Sequence, residues 1–187
     1  QEGGQDSEEG VKRKGNYKKT ENINKREKNR NLEKETEIDS INRLKIFYTN
    51  ADCLTNKRSE LLMIIQNSER KPDVIAIVEV KPKYSRYSVT SSEFSIEGYT
   101  LFTNNLEERT TRGIIVLVRR EVDVKQIEIR GEVQEVVTIE IDSGTKENKV
   151  TIMVNYRSPS STKENDEALL KLIDDVSEKG GCLLMVG

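Results

Sequence analysis

Residues 74–80 read VIAIVEV, five consecutive apolar side chains followed by a glutamate and one more valine. An apolar run this short, bounded by Pro72 and by Lys81-Pro82, predicts a strand covered on both faces, the kind that favours parallel neighbours. Glu79 falls where the run would place another hydrophobe, and the nearest basic residue in sequence is Lys81. An unpaired buried carboxylate costs several kcal/mol or forces a large pKa shift. Two readings follow. Glu79 is an exposed last residue paired with Lys81 or Lys83, or it faces a cation that the sequence itself does not supply.

The neighbouring segments give that strand its setting. RLKIFYTN (43–50) has the β-branched and aromatic content of a strand and ends in polar Thr49 and Asn50. NKRSELLMIIQNSER (56–70) carries Leu61, Leu62, Ile64 and Ile65 at helical spacing, with Asn56 as cap and Pro72 beyond its end. Strand, helix and strand in sequence form a βαβ-like unit. Residues 81–98 read as a long surface loop. Strands are predicted over 99–104, 113–120, 123–130, 135–142 and 149–157, several alternating apolar with polar as half-buried antiparallel strands do. DSGTKEN (142–148) supplies a hairpin turn. STKENDEALLKLIDDVSEKGG (161–181) has a Ser/Thr cap, an acidic first turn, an apolar face and a glycine end, and predicts a helix. The closing CLLMVG (182–187) is wholly apolar. A central strand needs neighbours on both sides, so this ending predicts a piece of something longer, with a docked edge strand as the alternative.

Composition matters mainly for dividing the chain. Residues 1–43 hold about 21 charged side chains and only six apolar ones, too little apolar surface to offset ordering entropy. They are predicted to be a disordered charged arm, and 44–187 an incomplete folded domain. Clusters such as Lys12, Arg13 and Lys14 suit a nuclear-import signal or a phosphate-binding arm, or simply a solvated tail. The net charge of −2 gives no whole-chain argument for nucleic acid. With two cysteines, Cys53 and Cys182, and no histidine, the chain excludes a Cys/His zinc site and histidine chemistry of its own. Both cysteines are predicted to be inert core thiols. No apolar run reaches membrane-spanning length, and no secretory leader opens the chain, which predicts an intracellular protein without a membrane partner.

Asn50, Glu79 and Tyr156 (in NYRSP) all stand at predicted strand ends. In open α/β sheets the ligand site forms at the carboxyl ends of strands. Amide, carboxylate and phenol on one rim suit a hard cation and a phosphate ester. The segments TNADCLTNKRSEL, PDVIAIVEVKPK, TRGIIVLVR, VNYRSP and GGCLLMVG together resemble the endonuclease/exonuclease/phosphatase family. The resemblance spans 44–187 and is strongest to the endonuclease domain of non-LTR retrotransposons. It implies an α/β fold, here the first part of a four-layer sandwich of two packed sheets with outer helices.

By position, the resemblance implies that Glu79 binds Mg²⁺ (or Mn²⁺), that Asn50 holds the site's hydrogen-bond network and that Tyr156 contacts the scissile phosphate. Asp52 is implied to touch metal or water, and Arg157 to reach a phosphate. Each has an ordinary counterpart: Asn50 as a turn residue, Tyr156 as cover for a sheet edge, Arg157 as a surface arginine. TRG (111–113) reads as structural, with Gly113 marking a bend or bulge. The implied activity is nicking of DNA for target-primed reverse transcription, with element RNA and a reverse transcriptase domain as further partners and the nucleus as a location. Abasic-site nucleases, deadenylases and phosphoinositide phosphatases share the core. The family's water-activating Asp-x-Asn and its phosphate-polarising histidine have no counterpart here, so the chain as it stands is predicted not to cleave DNA. A non-catalytic remnant or binding module is the rival. A nucleotide-binding domain is disfavoured, because no glycine-rich loop follows the first strand.

Overall fold

In the computed structural model, which describes residues 44–84, 89–128, 133–142 and 149–187, every residue of Val74–Val78 is buried. Its alternation sorts the side chains by size. Val74, Ala76 and Val78 face one way, and the larger Ile75 and Ile77 face the other. The same division runs through Ile114–Arg119, with Ile114, Val116 and Val118 opposite Ile115 and Leu117. The smaller set packs on a second sheet and the larger set under a helix, so both faces of this sheet are covered, as the apolar run requires.

In chain order the elements are β1 (Ile46–Asn50), α1 (Arg58–Asn67), β2 (Val74–Val78), β3 (Tyr99–Asn104), β4 (Ile114–Arg119), β5 (Val124–Gln126), β6 (Val136–Ile141), β7 (Val150–Asn155), α2 (Lys163–Ser177) and β8 (Cys182–Val186). The first sheet has the order β1-β2-β4-β3 and the second β5-β6-β7-β8. β1 and β2 are parallel, as are β7 and β8, and each parallel pair is joined through a helix. The remaining pairs are antiparallel. Leu61 and Ile65 of α1 lie on the outer face of the first sheet, and Leu172 and Val176 of α2 on the outer face of the second with Val136 and Met153. Val137, Ile139, Ile141, Ile152 and Val154 close the space between the sheets. The result is helix, sheet, sheet, helix: the α/β sandwich that the resemblance implies.

Several details differ from expectation. The Asn56 cap is not used. Asp52 and Cys53 adopt positive φ (41° and 79°), the Leu54 amide is pinned to the Val80 carbonyl at 2.8 Å, and Leu54–Asn56 form a 3-10 turn that delays α1 to Arg58. The predicted loop 81–98 contains a second 3-10 turn, Ser91–Phe94, closed by a Thr90/Glu93 capping box that buries Phe94. β5 covers Val124–Gln126, short of the predicted 123–130, whose last two residues lie outside the described residues. β8 is an edge strand, with Leu183, Leu184 and Val186 half-buried and Cys182 and Met185 exposed, because among the described residues it has a neighbour only in β7. Cys182 is accordingly exposed and Cys53 half-buried, so neither is a core thiol. The charged stretch 1–43 and the turn residues 143–148 lie outside the described residues.

Candidate active site

Strand direction decides which side chains meet. Asn50 ends β1, Glu79 follows β2 and Tyr156 follows β7, all at carboxyl ends. Antiparallel strands bring their amino ends to the same rim, so Arg112 and Gly113, ahead of β4, stand beside Glu79, and Glu135, ahead of β6, stands beside Tyr156. The register confirms both placements, pairing Val78 with Ile114 and Val136 with Asn155. Backbone bonds extend the ladders past the strand ends: Lys81 donates to the Arg112 carbonyl at 3.0 Å and Tyr156 to the Glu135 carbonyl at 3.0 Å.

Glu79 is the centre of this rim. Its backbone has φ 55°, a conformation that carries strain for a residue with a Cβ and turns the side chain out of the strand's alternation. The carboxylate accepts from Asn50 Nδ2 at 2.8 Å on Oε1, and Oε2 pairs with Arg112 Nη2. The Tyr156 phenol stands near enough to this carboxylate to feel its charge. Asn50 in turn accepts the Asp52 amide at 3.1 Å on Oδ1, which fixes the orientation of both its polar atoms. Burial, then the neighbouring Glu79 carboxylate, push the Tyr156 phenol up to about 12 despite the opposing Arg112. Tyr156 therefore stays a donor at any neutral pH.

The partner of Glu79 is Arg112, and not Lys81 or Lys83. Lys81 is 1% exposed, its ammonium capping the Thr111 carbonyl at 2.8 Å and the Glu108 carbonyl. It anchors the loop ahead of β4. Arg112 spans Glu79 and Asp52, with Nη2 2.6 Å from Asp52 Oδ1. Burial alone would lower its guanidinium, but the Asp52 hydrogen bond and the Glu79 and Asp52 charges outweigh that and hold it above its ordinary value. Its Nε is buried without an acceptor.

Arg112 is held from behind by Glu135, whose Oε1 accepts the Arg112 amide at 2.6 Å and the Gly113 amide at 2.8 Å. Gly113 has φ 72°, and a Cβ there would lie 2.8 Å from Leu106 Cδ2, so TRG is the bend that the sequence predicts, with a site residue at its middle. Burial pushes the Glu135 carboxyl up, against the two amides and the Lys81 and Lys83 charges. Arg112, Glu135 and Tyr156 line a cleft of about 340 Å³ with Lys83, Thr110 and Ser158.

Asn50, Asp52, Glu79 and Tyr156 are thus gathered on one rim, joined by Arg112 and Glu135, which sequence reasoning missed. A charged residue immediately ahead of an apolar antiparallel strand was the available signal for both. Arg157 is directed elsewhere: it forks onto Asp166 in the first turn of α2, at 2.9 and 2.7 Å. Among the described residues no group of three or more His, Cys, Asp or Glu side chains converges as a metal cage. What the rim does offer a hard cation is two carboxylates, Glu79 and Asp52, whose oxygens meet at one point, occupied by a cationic nitrogen of Arg112.

The fold is similar to that of the endonuclease domain of TRAS1, a telomere-specific non-LTR retrotransposon, with a TM-score of 0.52 and 18% identity over 76% of this chain and 57% of that one. It is similar also to the AP endonuclease LMAP from Leishmania major, with a TM-score of 0.50 and 13% identity over 73% and 46%. The described residues therefore have the N-terminal part of an endonuclease/exonuclease/phosphatase-type fold, and the chain spans about half the length of the two structures. No protein-family model and no curated protein matches the sequence. Among the described residues no helix is long and apolar enough to cross a membrane.

Proposed function

We propose that 44–187 is the N-terminal part of a metal-dependent phosphodiesterase that nicks DNA, of the kind by which non-LTR retrotransposons expose a 3′-hydroxyl for reverse transcription. The observation that carries this reading is the convergence of Asn50, Asp52, Glu79, Arg112 and Tyr156 on one rim of a sandwich similar in fold to two endonucleases. DNA is then the partner, element RNA and a reverse transcriptase domain would act with the whole protein, and the nucleus is its place of work. The similarity to an AP endonuclease keeps abasic-site hydrolysis within the same class of chemistry.

The two converging carboxylates fit Mg²⁺ or Mn²⁺ by the hard-oxygen criterion, and Glu79 with Asp52 would hold it. When bound, such an ion supplies positive charge against a phosphoryl oxygen. Asn50 keeps the Glu79 carboxylate in one orientation. Tyr156 presents a proton that is not lost below strongly alkaline pH, suited to donating to a phosphate oxygen. The chain holds no histidine, and Glu79 has both oxygens engaged, so neither a histidine nor Glu79 supplies a general base. Loss of such a group lowers rates by orders of magnitude. The 187-residue chain alone is expected to bind metal without turning over DNA.

Adding Mn²⁺ to ¹⁵N-labelled chain should broaden the amides of Asn50, Asp52 and Glu79 ahead of all others, and E79Q should abolish the effect. Broadening elsewhere, or none, would overturn the metal reading and favour a non-catalytic binding module, a role that the Arg112 bridge across both carboxylates also suits. Supercoiled-plasmid nicking in Mg²⁺ should be absent. Nicking that E79Q removes would overturn the inactivity and leave the class intact.

A further inference from the structure

We infer that Arg112 is a built-in counter-ion that competes with the divalent cation for Glu79 and Asp52, so that metal enters this site only as the guanidinium leaves it. The inference rests on the metal reading above and adds to it a regulating residue.

Three observations carry it. First, a single atom, Arg112 Nη2, contacts Asp52 Oδ1 at 2.6 Å and also Glu79 Oε2. It stands where the carboxylates converge, and an ion bridging them would need that point. Second, the pose leaves Arg112 incompletely satisfied, because Nε is buried without an acceptor. A guanidinium has donors on three nitrogens, and here one nitrogen makes both ion pairs while another makes no bond. The arrangement is thus held by the two carboxylates rather than by a full set of partners, and a cation that takes those carboxylates removes what holds it. Third, the backbone of Arg112 does not depend on them. Glu135 accepts the Arg112 and Gly113 amides, and the Arg112 carbonyl accepts from Lys81. The residue's base is fixed while its side chain is free to exchange. The adjoining cleft, bordered by Ser158 and Ser160, gives the displaced side chain a polar place to go.

Coupling of this kind is reciprocal: if Arg112 weakens metal binding, metal must loosen Arg112 to the same extent. Calorimetric titration of Mg²⁺ into wild type, R112Q, E79Q and R120Q separates the cases. R112Q should bind about tenfold tighter than wild type, within the usual range of such couplings. R120Q removes an equal charge from an exposed position and should match wild type, and E79Q should not bind. If R112Q and wild type bind alike while E79Q does not bind, the competition is wrong and the metal reading survives. If wild type and R112Q both fail to bind, the metal reading fails and the competition with it. A second measurement needs no variant: the Arg112 Nε resonance of the wild-type chain should shift, and its proton exchange faster, as Mg²⁺ is added. An Nε signal unchanged at Mg²⁺ saturation would overturn the inference.

Discussion

Glu135 shows how far a single side chain can be read from its partners. It is 6% exposed, yet its role is to accept two amides at a bend that only a glycine fits. Glutamine keeps an oxygen for those amides and carries no charge to desolvate, whereas alanine orphans both. E135A should therefore lose about 2 kcal/mol or more of stability, since each buried donor left unpaired costs about 1–3 kcal/mol. E135Q should stay within about 1 kcal/mol of wild type. The pH dependence has a definite sign. Burial raises the folded-state pKa of Glu135 above its ordinary value, so the folded chain holds this proton more tightly than the unfolded chain. The associated stability is fully present below the ordinary carboxylate range and is lost as pH rises through the folded value. E135Q should gain on wild type as pH climbs from about 4 to 7. Paired urea titrations at the two pH values would show it, and a gain at low pH instead would refute this account of the carboxyl.

At the scale of elements, periodicity made most of the fold legible. The VIAIV run, the spacing of Leu61 and Ile65 and the capped helix ahead of CLLMV each had one consistent reading, and all three elements are present. Asn50, Glu79 and Tyr156 were legible as polar residues closing apolar strands. Arg112 and Glu135 were not, because they precede their strands, and only antiparallel pairing carries an amino end to the same rim. The Arg112–Glu79 pair joins the ends of two strands that touch only after folding, so the basic residue nearest in sequence, Lys81, is not the partner in space. The bend before β4 tests this view of the rim. Gly113 and Gly98 both have positive φ, 72° and 84°, but a Cβ meets Leu106 at the first and nothing within 4 Å at the second. G98A should cost about 1 kcal/mol from backbone strain alone. G113A should cost more, since Leu106, itself buried, must move as well. Equal losses in chemical denaturation would mean that the bend is not crowded.

The whole sandwich is what makes the rim a site at all. Asn50 ends a strand of the first sheet with Glu79 and Arg112 adjoining its strands, and Glu135 and Tyr156 adjoin strands of the second, so the hydrogen bonds of Glu135 to the bend cross between sheets. The interior that holds the sheets together is almost wholly aliphatic: Val74, Ala76 and Val78 against Ile139, Ile152 and Val154. Packing of this kind is non-directional, whereas the rim contacts are directional, which divides the work between cohesion and alignment. If that division is right, the two sheets unfold together, and a cavity between them is felt on both sides. Ile139 is fully buried at this interface. I139A should remove about 2–5 kcal/mol, which lowers the melting temperature by roughly 5–15 °C for a domain of this size. Calorimetry should show a single transition moved as a whole. Hydrogen exchange should report equal loss of protection in β2 and β4, which lie across the interface, and in β6 and β7 beside the substitution. Protection that falls in β6 and β7 alone would mean that each sheet stands with its own helix, and that the rim is assembled from two independently stable halves.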